Sequence, residues 1–127
     1  MGTRGQRAVK LSFPAEARML RFARITAATM AVDLSFSIEE IEDLRVAVDE
    51  LAAAAIEGVD ESAVLELWFE VRDSELCVEG AVAAAGPLPE LHPMARELLE
   101  LLADGYDFAA EDGSRQFKLV KTRSTAG

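Results

Sequence analysis

Residues 64 to 72 alternate without a break, with Leu65, Leu67, Phe69 and Val71 on one side and Glu66, Trp68, Glu70 and Arg72 on the other. A strand of period two with one apolar face has one side for a core and one for water or a partner, so helices packed on it cover a single face. Asp73-Ser74 is a turn pair, and Leu76, Val78 and Val82 then resume the inward pattern opposite Cys77 and Glu79. The two runs predict an antiparallel hairpin, which Gly86-Pro87-Leu88-Pro89 ends.

The flanking segments have to supply that sheet with neighbours and a cover. Upstream, Val9, Leu11 and Phe13 alternate with Lys10 and Ser12, the pattern of an edge strand over 8 to 13 that Pro14 terminates. The period then becomes helical: Met19, Phe22, Ala23, Thr26 and Met30 share a face at steps of three and four, while Arg18, Arg21 and Arg24 project elsewhere, and the helix is expected to end near Asp33. Ser37-Ile38-Glu39-Glu40 is a capping box, and the acids that follow suit the positive end of a second helix. Its stripe of Ile41, Leu44, Val48, Leu51 and Ala55 runs to Gly58, a good left-handed stop.

Pro93 to Leu102 reads as a third helix with Met94, Leu98, Leu101 and Leu102 inward. Tyr106 to Ala109 and Gln116 to Thr122 read as strands joined by the turn Glu111-Asp112-Gly113-Ser114. The order strand, helix, helix, strand, strand, helix, strand, strand predicts an α+β fold: a two-layer sandwich whose mixed or antiparallel sheet carries three helices on one face. Residues 8 to 123 form its single domain, with a flexible tail at 1 to 7 and another tail at 124 to 127; a chain of 127 residues, half of them apolar, has room for one core.

Composition excludes several classes. The lone Cys77 permits no internal disulfide, and one histidine, His92, leaves a zinc site with carboxylates only, so no metal is expected. His92 lies between Leu91 and Pro93 with no nucleophile elbow in the chain, which makes it a loop or cap residue rather than a catalyst. No apolar run approaches a membrane span and the N-terminal stretch lacks a signal-type core, so a cytoplasmic location is expected.

The formal net charge of -10 is unevenly spread. Residues 1 to 24 hold six basic residues against one acid, residues 33 to 112 hold 22 of the 23 acids against three arginines, and Arg115, Lys118, Lys121 and Arg123 follow with no acid. The acidic body disfavours direct contact with nucleic acid and suits either solubility or a basic protein partner, while the basic ends would form a strip able to attract phosphate.

With that element order, the segment Asp43-Leu-Arg-Val-Ala-Val-Asp-Glu-Leu51 resembles the second helix of the anti-sigma-factor serine kinases, stand-alone members of the GHKL (histidine-kinase-like) ATPase fold. The resemblance spans roughly residues 8 to 123. It implies that Glu50 occupies the position of the family's catalytic base and that Ala54 stands where an asparagine would hold magnesium. A methyl group offers no oxygen to such an ion. The family's Asp-x-Gly-x-Gly, which receives adenine, corresponds to Ala84-Ala85-Gly86-Pro87-Leu88, where only Gly86 is kept. Its glycine-rich phosphate lid corresponds to Leu88 to Pro93, which has no glycine and carries Glu90.

The resemblance therefore implies a regulatory binding protein that sequesters a sigma factor, binds an anti-anti-sigma antagonist, or both, without ATP hydrolysis and with no cofactor. The alternatives are an active kinase using ATP and magnesium on a serine of the antagonist, and a structural dimerisation module. Homodimerisation is a further implication of the family. Candidate partner-binding residues are Trp68, on the open sheet face, and the row Arg18, Arg21 and Arg24; the alternatives are that neighbouring strands shelter Trp68 and that the arginines form a solvated face.

Overall fold

The computed structural model describes residues 7–124, so the tails expected at 1 to 7 and 124 to 127 fall outside it at 1–6 and 125–127. The elements are β1 (Arg7–Pro14), a short 3-10 turn (Ala17–Met19), α1 (Leu20–Asp33), α2 (Ile38–Ile56), β2 (Val64–Arg72), β3 (Glu75–Ala83), α3 (Pro93–Leu102), β4 (Gly105–Glu111) and β5 (Ser114–Thr122). One five-stranded sheet runs in the order β1-β2-β3-β5-β4, and every pairing in it is antiparallel. The choice left open between a mixed and an antiparallel sheet thus resolves to antiparallel.

Register follows the alternation. Leu67 stands beside Leu11 on one side and Gly80 on the other, and Gly80 pairs with Phe117. The Phe117 ring lies across Gly80 so closely that an added Cβ would come within 2.3 Å of it, which is why this strand position has no side chain. The β4–β5 hairpin turns through Asp112 (φ 52°) and Gly113 (φ 75°), the paired left-handed residues of a tight two-residue loop.

Leu65, Leu67, Phe69, Leu76, Val78 and Leu119 of the sheet join Leu44, Val48 and Leu51 of α2 and Leu99 of α3 in one core with the inner face of α1. Most of these side chains are fully buried, and each contributes about 1.5–3 kcal/mol by leaving water. The opposite sheet face carries Trp68, Glu79, Gln116, Lys118 and Asp107 around an open depression that no helix residue lines. All three helices therefore cover one face.

Two helices are rotated from their expected orientation. On α1 the buried residues are Leu20, Ala23, Ala27, Met30 and Ala31, while Phe22 is 41% exposed. On α3, Ala95 and Leu99 are buried, whereas Met94 and Leu101 face solvent at 63% and 78%. In both cases alanines face the neighbouring elements, allowing close approach, and the larger apolar residues sit outside. On α2, Leu44, Val48, Leu51 and Ala55 are buried as expected, with Ile41 partly so.

Helix ends are set by local bonds. After Asp33 the chain closes a Schellman turn: the Phe36 amide donates to Ala31 O, the Ser35 amide donates to Val32 O, and Ser35 takes φ 64°. The capping box of α2 forms in full, with the Glu40 amide donating to the Ser37 hydroxyl at 3.0 Å and the Ser37 amide to the Glu40 carboxylate at 2.7 Å. The same carboxylate accepts the Ser124 amide at 2.6 Å, tying the end of the described chain to the start of α2.

The Ser37 amide holds Glu40 below the usual glutamate range; partial burial opposes this, and the Ser124 amide and positive Lys121 reinforce it. An acid whose value is lower in the folded state stabilises that state while ionised, and the gain is lost as pH falls through the folded value. Urea titrations of Glu40→Gln and the unmodified chain are expected to differ at neutral pH and to converge below the glutamate range. A difference that stays constant with pH would rule out this role for the carboxylate.

Candidate functional site

Glu50 and Ala54 lie one helical turn apart on α2 and line the same open cleft, of about 420 Å³. Its other walls come from the start of α1 (Ala15, Glu16, Ala17, Leu20), the end of α2 (Ile56, Glu57) and the segment before α3 (Glu90, Leu91, His92). The structure thus brings Glu50 and Ala54 together with the segment before α3. It leaves out the adenine-motif positions: Ala84 and Gly86 are not among the lining residues, the Ala84 amide donates to Gly113 O at 2.9 Å, and Gly86 (φ 94°) would have open space around an added Cβ.

The donor set of this cleft is one-sided. Glu16, Glu50, Glu57, Glu61 and Glu90 line it, together with alanines, aliphatic residues and His92, and among the described residues no lysine or arginine does. The Ala54 side chain presents no oxygen, and its carbonyl accepts the Glu57 amide at 3.3 Å. The N-terminus of α3 would be a ready anion site, but His92 caps it from within, its Nδ1 accepting the Met94 amide at 3.1 Å. His92 is thereby a structural cap.

On the open sheet face Trp68 is half-buried, with the Lys10 ammonium 5.3 Å from its ring centre and the Lys10–Glu66 pair at 3.5 Å alongside. It borders a depression of about 450 Å³ with Glu79, Asp107, Gln116 and Lys118. Cys77 shares this face by alternation and is buried, and that burial raises its thiol above the ordinary cysteine value.

The three arginines of the first helical segment do not act alike. Arg24 pairs with Asp49 of α2 at 2.6 Å, Arg18 pairs with Glu16 at 2.7 Å, and the Arg21 guanidinium lies 5.2 Å from the Phe22 ring centre on the outside of α1.

Sequence reasoning missed the use made of the basic C-terminal run. Arg115 donates to Ala55 O at 3.0 Å and Glu57 O at 2.7 Å at the end of α2. Lys121 donates to Leu102 O at 2.8 Å at the end of α3, and Arg123 to Leu34 O at 3.3 Å at the end of α1. None of the three helices has a basic residue in its own last turn. Orphan carbonyls and the negative ends of the helix dipoles attract these cations. The expected phosphate-attracting strip is, on its C-terminal side, largely a set of helix clamps. The available signal was Arg115 itself, which alternates with Phe117 and Leu119 on the inward side of β5.

No family model matches this chain. It is 30% identical to the anti-sigma F factor of Clostridium acetobutylicum over 132 residues, covering 91% of this chain and 92% of that protein. Its fold matches the crystal structure of the RsbU and RsbW domains of Rv1364c from Mycobacterium tuberculosis, with a TM-score of 0.73 and 13% identity over 96% of this chain. This chain spans 34% of that longer protein. Fold and sequence agree: the chain belongs to the anti-sigma factor family.

Replacing Arg115 by methionine is expected to lower unfolding stability by about 2–3 kcal/mol, because a buried carbonyl, Ala55 O, and a part-buried one, Glu57 O, lose a charged donor. Urea midpoints measure this, and an unchanged midpoint would show that the clamp contributes nothing.

Proposed function

We propose that this chain is a regulatory protein-binding domain that sequesters a sigma factor, is itself captured by an antagonist protein, or both, and that it does so without ATP. The relative's name supports the regulatory half of this reading. The observation that carries the second half is the donor set of the cleft: five glutamates, a methyl group at the position where the resemblance places a magnesium ligand and, among the described residues, no lining lysine or arginine. Magnesium-ATP brings its own negative charge and needs oxygen ligands for the metal with amides or cations for the phosphates, so these residues do not fit it.

Release of the partner then depends on competition by mass action, the antagonist and the sigma factor contending for one protein. The acidic body speeds encounter with a basic partner, while a desolvated aromatic anchor, Trp68 on the open sheet face, supplies lasting affinity. Among the described residues no helix is long and apolar enough to cross a membrane, and a cytoplasmic location is part of this proposal.

The competing reading is an active kinase, and Glu50 in the cleft is the residue that favours it. Calorimetry and thermal melting with millimolar magnesium-ATP separate the two, because a ligand of the folded state must raise its melting temperature. The expected result is no binding heat and no shift. Saturable binding with a raised melting temperature would overturn the ATP-free reading.

A further inference from the structure

We propose that the free edge of β4 is a docking site for an extended segment of another protein, which adds to the sheet as a further strand and alternates apolar with basic side chains. The inference holds whether or not the cleft takes a nucleotide, since the groove beside this edge shares only Glu90 and Leu91 with the cleft walls.

β4 is the last strand in the order β1-β2-β3-β5-β4 and pairs with β5 alone. Antiparallel pairing uses the amides and carbonyls of alternate residues, so those of the residues in between point away from β5 along the outer edge. Among the described residues, no backbone hydrogen bond joins the segment 85–92 to that edge, although Leu88 to Leu91 border the same groove as Tyr106 and Phe108. The two edges of the sheet are built differently. β1 carries Arg7, Lys10 and Pro14, and cations and proline are the residues that keep a sheet edge from pairing. β4, Gly105-Tyr-Asp-Phe-Ala-Ala-Glu111, has no lysine, arginine or proline.

A strand laid on β4 sends its side chains alternately to the two faces of the sheet. On the helix side they meet a groove of about 390 Å³ lined by Leu88, Pro89, Leu91, Tyr106 and Phe108. Glu90 and Arg96 also border it, and their charges offset each other. Tyr106 and Phe108 take this side because they stand in register with Leu119 and Phe117 of the core, and both are only half-buried. The groove therefore suits apolar side chains. On the open side the added strand meets Asp107 and Glu111, which with Glu79 and Lys118 line the depression that Trp68 borders. Three acids against one lysine favour basic side chains there.

The same acids exclude a second copy of the edge as occupant. With no cation on β4, pairing two such edges would bring Asp107 and Glu111 only against acids or apolar residues, and like charges opposite one another destabilise a sheet. The occupant is thus a basic and apolar strand from a partner, held by main-chain hydrogen bonds and selected by its alternate side chains.

The test uses the full chain and a short, end-blocked peptide that alternates arginine and valine, with binding followed by calorimetry and by amide exchange in NMR. Saturable micromolar binding is expected, with slowed exchange at alternate residues of 105–111. A fully N-methylated version of the peptide is expected not to bind, because it cannot donate to the edge. The double variant Asp107→Lys, Glu111→Lys should weaken binding about tenfold or more, and should prefer a peptide with glutamate in place of arginine. No saturable binding at millimolar peptide, undiminished binding of the N-methylated peptide, or indifference to the charge reversal would each overturn the proposal. So would protection confined to the turns of α2 around Glu50, which would place the basic probe in the acidic cleft. If the double variant fails to fold, the N-methylated peptide and the exchange pattern decide alone.

Discussion

Every helix of this domain is held at its C-terminal end by one stretch of chain, β5 and the residue that follows it. Arg115, Lys121 and Arg123 reach the last carbonyls of α2, α3 and α1 respectively. The helices lack cations of their own in their last turns, so these three side chains supply the positive charge that meets their negative ends. The same strand pairs with both β3 and β4 and sends Phe117 and Leu119 into the core. At the other end of α2 the capping box binds Ser124, just after β5. Helix α2 is thus tied at both ends, and it borders the cleft with Glu50 and Ala54.

That rigidity gives the altered chemistry of the cleft its meaning. The fold is that of its family, and the element that would carry the base and the magnesium ligand is well anchored. On the proposed reading what differs is the side chains: Ala54 where the resemblance places a magnesium ligand, Glu90, Leu91 and His92 where it places a lid, and glutamates along the remaining wall. A stable frame can lose one function and keep another on a different face, because binding sites are local features carried by the frame. The open sheet face around Trp68 uses none of the cleft residues.

The strands and the start of α2 were legible in the sequence because their signals are local. Alternation from Val64 to Arg72 and from Leu76 to Val82 places side chains by geometry alone, and Ser37 with Glu40 forms a cap within four residues. The orientations of α1 and α3 were not, since each carries two apolar arcs and tertiary packing chooses between them. Alanines at 23, 27, 31 and 95 turned inward, leaving Phe22, Met94 and Leu101 outside. The C-terminal cations act on carbonyls as much as 89 residues away, a distance at which periodicity says nothing. Of the candidate residues, Glu50 and Ala54 line one cleft with Glu90, Leu91 and His92, whereas Ala84 and Gly86 stand at a hairpin end that is not among its lining residues.

The central claim is that partner binding in this chain is uncoupled from nucleotide. It is tested most directly by measuring the dissociation constant of the purified chain for a purified sigma factor in nucleotide-free buffer and again with saturating magnesium-ATP. The account predicts a complex of the same affinity in both. A complex that forms only when magnesium-ATP is present would contradict it.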